Sequence, residues 1–338
     1  MSSSELTKIC VERVLPEHHD HYHSIKGDNR LSAAFWASKL WPQNSTVTIG
    51  FLDDPTPANK STPLSAMNKI GRRIDPLQKT LSDAYPENES YKGMKNAVET
   101  IVNKRIQPLV NLHLKFVDSN PEAADIRISF KDAGASWSNV GTDSSKFSSK
   151  NCGNKECVKP SMNLGWFDVG TYIHEFGHAL GMVHEHQNPR GSEIDWNVPK
   201  LLEYMEETQG WDKKQVETNV INRYNIDQIN GSEFDPLSVM LYFFPASLTN
   251  NNQGTKQNFS LSGIDAEWIS KSYPGGPMTP QDFYQTTYGE SLASSVKESQ
   301  KLREKMKGVY KWLYILLAIT GFVLIGVLIF LLVKRYSK

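Results

Sequence analysis

The run HEFGHALGMVH places His174, Glu175, His178, Gly181 and His184 at offsets that could do chemistry. On a helix, residues four apart share a face, so His174 and His178 can offer imidazole nitrogens to one ion. Glu175 then stands beside the vacant coordination position. His184 lies too far along for the same turn to present it. Gly181 supplies the route back, because a residue without a Cβ can leave a helix through positive φ. Three ligands and one open position are the coordination of a catalytic zinc ion, which implies one Zn2+ and a hydrolase with Glu175 as general base. An HExxH string arises by chance on amphipathic helices. A purely structural helix, however, has no reason to add a glycine and a third histidine at these offsets.

The longer run HEFGHALGMVHE resembles the zinc motif of the metzincin endopeptidases, and Glu185 after the third histidine resembles their astacin branch. Downstream, Ser238, Val239, Met240, Leu241 and Tyr242 resemble the methionine turn of that clan. The resemblance implies that Met240 is an apolar floor beneath the histidines and that Gly181 and Glu185 support the site. It also implies that Tyr242 ligates zinc at rest and swings away to hydrogen-bond the oxyanion, a donor aimed where charge develops. The likeness extends over roughly 31–274. AAFWASKLWPQNSTVTIGFLD resembles the opening strand, and MNLGWFD resembles the lead into the zinc helix. HEHQNPRG and LSGIDAEWISKSYP are similar to segments of microbial and fungal astacin-like zinc peptidases. Leu241 stands where a histidine is usual after the turn methionine. The implied fold is α+β, with a twisted mixed sheet, a backing helix and an active-site helix, and the implied partner is a protein or peptide substrate.

The elements that must position these residues are legible in part. Met94, Val98, Ile101 and Arg105 recur at helical intervals between Tyr91 and Gln107, ahead of Pro108, which predicts the backing helix. NLHLKFVD and ADIRISFKD alternate as strands with one face toward the core. By resemblance, the second strand and the following GASWSNVG lie near the edge that holds an extended substrate. A peptide added to a sheet edge presents its backbone carbonyl without its side chains being read.

A chain of 338 residues with 37 basic and 37 acidic side chains gives no sign of a nucleic-acid surface. Its three cysteines are too few for a disulfide framework, and Cys152 and Cys157 in CGNKEC could close a small loop or stand as two reduced thiols in a polar segment, with the reduced form expected. Residues 312–333 contain no charged side chain and are flanked by Lys311, Lys334 and Arg335. About 20 apolar residues suffice to span a bilayer, so this is read as a transmembrane helix with the lipid bilayer as partner. The first residues have no apolar core, so they are not a secretory signal, and the expected topology is a single-pass tail anchor. Lys297, Lys301, Arg303, Lys305, Lys307 and Lys311 before the run outnumber Lys334, Arg335 and Lys338 after it, which puts the peptidase on the cytosolic side. Sequons at Asn44, Asn59, Asn88, Asn230 and Asn258 would favour a lumenal domain if they were glycosylated.

The resulting organisation is a polar arm over 1–30 and a catalytic domain over 31–274. A stalk helix over 275–311, a membrane helix over 312–333 and a short basic tail over 334–338 follow. The arm holds His18, His19, His21 and His23 and reads as a solvated segment. The expected function is a membrane-anchored zinc endopeptidase. The rivals are a tethered peptidase fold that no longer cleaves and a zinc amidase acting on other amides.

Overall fold

The computed structural model describes residues 10–13, 35–53, 67, 71–84, 91–153, 155–191, 194–224, 229–230 and 232–306. The chain begins with β1 (Cys10–Arg13), β2 (Phe35–Trp36), β3 (Thr46–Phe51), β4 (Gly71–Ile74), α1 (Leu77–Ala84) and α2 (Tyr91–Ile101). There follow β5 (His113–Val117), β6 (Ile126–Ser129), β7 (Ser136–Asn139), β8 (Met162–Asn163) and the zinc-motif helix α3 (Val169–Ala179). The C-terminal part holds α4 (Val198–Gln209), α5 (Lys213–Val216), β9 (Ile229–Asn230), β10 (Gln257–Phe259), α6 (Gly263–Ser272), α7 (Pro280–Tyr288) and a last helix, α8, over 292–306.

Six strands form a mixed sheet in the order β1-β7-β8-β6-β3-β5. All its pairings are parallel except that of β7 with β8. Val47, Ile49 and Ile128 from the sheet meet Val98, Ile101, Ile173 and Phe176 from α2 and α3 in one continuous apolar core. The backing helix forms as its periodicity predicts, and a wide π-type turn at 102–106 carries the chain on from it. Arg105 at that turn is buried against Asp75, with two hydrogen bonds of 2.7 Å.

Strand β6 departs from the alternating expectation. Ile126, Arg127, Ile128 and Ser129 are all buried, because the strand lies between β3 and β8 and is covered on both faces. Arg127 enters the interior by giving its protons to the carbonyls of Lys159, Ala124 and Asp125 at 2.8–3.0 Å. Burial pushes its pKa down to about 10.

The sheet edge also differs from expectation. β7 is not open, since β1 pairs with it in parallel from Cys10↔Ser136 to Arg13↔Asn139 and lies against α3. That part of the amino-terminal arm is therefore sheet rather than solvated chain, while His18, His19, His21 and His23 fall outside the described residues. Cys152 and Cys157 are joined in a disulfide, which corrects the reduced reading: the short turn between them brings their Cα atoms to 6.0 Å, within the reach of a bridge.

The segment read as a stalk is packed on the catalytic body. Phe283 and Tyr284 of α7 are fully buried, and Leu292 and Val296 of α8 lie on the main core. Among the described residues no helix is long and apolar enough to cross a membrane. The apolar run at 312–333 lies outside the described residues.

Candidate metal centre and active site

Helix α3 starts where its sequence allows it to start. Asp168 caps it, accepting the Thr171 N–H at 2.5 Å and the Thr171 hydroxyl at 2.8 Å, so two donors of the first turn are satisfied. It ends at Gly181, whose φ of +101° is the left-handed exit the motif predicts. A Cβ there would stand 3.1 Å from Leu40, so glycine is favoured by space as well as by conformation. Carbonyls freed at this end are taken up by the Trp41 indole on Ala179 at 2.7 Å and the Tyr273 hydroxyl on Leu180 at 2.6 Å. Strand β2 holds the return, with the Trp36 N–H donating to Gly181 O at 2.9 Å.

This path brings His184 back to His174 and His178. The Nε2 atoms of His178 and His174 lie 3.1 Å apart, and those of His178 and His184 lie 3.0 Å apart. His174 Nδ1 contacts Val239 O at 2.9 Å and His178 Nδ1 contacts Met182 O at 2.9 Å. A carbonyl can only accept, so each Nδ1 carries the proton and each Nε2 presents a lone pair. Lone pairs facing one another at this distance repel unless a cation sits among them. Tetrahedral ligation with Zn–N of about 2.0–2.1 Å separates nitrogens by roughly 3.3 Å, so the donor set fits zinc. Burial lowers the pKa of His174 to about 4, and burial with neighbouring imidazoles holds His178 and His184 well below 6.5. All three are neutral at pH 7, the form that can ligate.

Of the remaining expected residues, Tyr242 reaches this centre and the others lie on the elements around it. Glu175 is fully buried on α3 directly after the first histidine. The Tyr242 hydroxyl lies 2.6 Å from His184 Nε2, so the phenol converges on the point the imidazoles share. Met240 is buried against α3: a Cβ added at Gly177 would stand 2.8 Å from its sulfur, closer than side chains approach, so glycine suits this contact. Glu185 faces away from the histidines. Its Oε1 accepts from the Asp235 N–H at 2.8 Å and the Asn188 amide at 3.0 Å, while its own N–H donates to Met240 O at 3.1 Å. Leu241 packs with Ile194 and Phe234, an apolar role at the position where the resemblance leads one to expect histidine.

Several participants carry no motif signal. Asp265 accepts from the Ser238 hydroxyl at 2.8 Å and the Val239 N–H at 2.9 Å, fixing the turn whose carbonyl holds His174. The Asn258 amide donates to Pro236 O at 3.1 Å and Ser238 O at 3.0 Å. His186 stacks between His184 and Phe244 and is kept neutral by burial, with its pKa near 4. Burial raises the pKa of Glu185 well above 4.5 and that of Asp265 to about 7, with Asp235 the next contributor to each. Only a fold places these groups together; their spacing in the chain gives no pattern to read.

A mixed sheet beside a helix that carries two histidines and a buried glutamate, a glycine exit, a third histidine and a methionine turn against the helix define a zinc peptidase of the metzincin type. The model of the Astacin peptidase family matches residues 87–258, just over half of the chain, and the chain belongs to that family. It is a zinc metalloendopeptidase. A structure of myroilysin is 28% identical with a TM-score of 0.52, covering 72% of this chain and 99% of that one. A second myroilysin structure is 25% identical with a TM-score of 0.42, covering 79% and 100%. High choriolytic enzyme 1, a hatching enzyme zinc-protease from the medaka fish Oryzias latipes, is 14% identical with a TM-score of 0.35, covering 72% and 98%. No curated protein matches the chain.

Proposed function

We propose that the chain is a membrane-anchored endopeptidase in which Glu175 is base and then acid, Tyr242 assists the oxyanion, and His174, His178 and His184 hold the ion. The convergence of three Nε2 atoms and the Tyr242 hydroxyl on one point carries this reading. Zinc, when bound, supplies Lewis-acid polarisation and a water acidic enough to react near pH 7. Glu175 takes the proton of the attacking water and passes it to the leaving amine. The Tyr242 O–H donates to the developing oxyanion. Full-length protein in detergent is expected to cleave denatured protein, with loss on chelation. Glu175→Gln should lower kcat about a thousandfold while zinc content stays stoichiometric. Equal activity of the variant and the parent would refute the assignment.

The substrate strand takes the edge of β7, supported by the exposed backbone that this edge would present once β1 is gone. Because Cys10–Arg13 pairs with that edge in the closed structure, peptide and β1 compete for it. Deleting residues 1–34 is expected to raise kcat/KM, and an unchanged value would place the substrate elsewhere.

Residues 312–333 anchor the chain, supported by their length and lack of charge. The excess of lysine and arginine before them favours a cytosolic peptidase. The Cys152–Cys157 bond is the feature that favours an oxidising compartment instead. Protease protection of the intact chain in microsomes decides between them.

A further inference from the structure

Helix α8 lies beyond the residues matched by the family model, yet it reaches the centre of the site's support. Residues 292, 295, 296, 299, 303 and 306 follow helical spacing on one face. Leu292 and Val296 lie on the main core, and Ser295 and Ser299 are buried. Arg303 pairs with Glu233, and Met306 packs on the cluster of Ile194, Phe234 and Leu241. The helix thus presses on the outer side of the segment that leads into the methionine turn.

Ser299 makes the innermost of these contacts. Its hydroxyl donates to Asp235 Oδ1 at 2.5 Å, and that carboxylate also accepts from the Leu237 N–H at 2.9 Å and, on Oδ2, from the Ser262 hydroxyl at 2.6 Å. Asp235 is a branch point. Its N–H holds Glu185, which follows the ligand His184, and its carbonyl accepts from Ser238 N at 3.1 Å, which opens the turn ending at Val239 O on His174. Asp235 thus ties together, through its backbone, the turn whose Val239 carbonyl holds His174 and the residue that follows the ligand His184, while its carboxylate is held by Ser299, Leu237 and Ser262. Partners one step out from metal ligands fix ring orientation and are felt in metal affinity.

We propose that Ser299 is a positioning residue for the zinc site and that α8 clamps the methionine turn through Asp235. The clamp makes the segment adjoining the apolar run 312–333 part of the active-site scaffold. It rests on the zinc assignment made above, and its test is separable from that assignment.

Full-length Ser299→Ala, Ser299→Thr and Ser295→Ala proteins in detergent are compared for zinc release to a chelator, kcat, KM and melting of the metal-free form. Ser295 is the control because it is equally buried on α8 but bonds the Gly263 N–H at 3.0 Å, the Tyr284 hydroxyl at 2.8 Å and the Arg73 guanidinium at 3.3 Å and makes no bond to Asp235 itself. Ser299→Ala is expected to release zinc about tenfold faster and to lower kcat by a similar factor with KM nearly unchanged, and threonine should restore most of both. Ser295→Ala should lower the melting temperature alone. Equal zinc release from the two alanine variants, release at the parent rate from Ser299→Ala, or failure of threonine to restore it would overturn the clamp. If the parent binds zinc but cleaves nothing, the peptidase reading fails and the zinc-release comparison still judges the clamp.

Discussion

Before Gly181, strands β3, β6 and β8 with helices α2 and α3 bury a continuous set of apolar side chains, and buried polar groups such as Arg105 and Arg127 are held beside it by their own partners. In the segments 184–191 and 232–262, regular structure is sparse and the turns are held by Glu185, Asp235, Asp265, Asn188 and Asn258 bonded to backbone. The first region derives its stability from area removed from water, which is non-directional. The second derives its shape from hydrogen bonds, which are directional, and it is the second that aims His174, His184 and Tyr242. Stability and site geometry are thus assigned to different chemistry, and substitutions in the two regions should fail in different ways.

The largest effect should come from the apolar region. Ile128→Ala removes a fully buried side chain from the middle of the sheet and is expected to cost about 3 kcal/mol of stability in chemical denaturation. The folded fraction should keep its zinc and its kcat. A matching loss of zinc affinity would erase the distinction between the regions. Tyr242→Phe, in the polar region, removes one hydroxyl and should lower kcat about a hundredfold with the melting temperature nearly constant. A large drop in melting temperature would make Tyr242 a structural residue.

The smallest effect sharpens the contrast through pH. Asp265 is raised from 3.8 to about 7 by burial and then by Asp235, so the folded state holds this proton more tightly than the unfolded chain does. Its contribution is fully present below 3.8 and lost as pH rises through about 7. His174 and His186 act with the opposite sign, their folded values near 4 giving stability that grows as pH rises toward 6.5. Asp265→Asn isolates the first term: its melting temperature relative to the parent should climb between about pH 4 and 7 and then level off. A flat difference across that window would show that the carboxyl titrates normally.

How much could be read in advance follows the same division. The zinc motif, its glycine exit, the methionine turn and the backing helix are local patterns with a period or fixed offsets, and the structure brings His174, His178, His184 and the Tyr242 hydroxyl together. Long-range polar pairing leaves no such trace. Asp235 and Ser299 are 64 residues apart, and nothing in ASSVKESQ announces a buried face, because its inward positions are mostly serine. The parallel pairing of β1 was hidden for a similar reason, since CVER is too short to carry an alternation that can be read.

The amide of Asn258 lies within the tripeptide Asn258-Phe259-Ser260, and its nitrogen is spent on the two carbonyls beneath the methionine turn. Oligosaccharide transferred to that nitrogen on an unfolded chain would leave a bulky, hydrated branch where the finished protein is closed to solvent. A copy threaded into a glycosylating compartment must therefore escape modification at this asparagine to mature, whereas Asn44, on an exposed left-handed corner, could carry sugar without disturbing the catalytic floor.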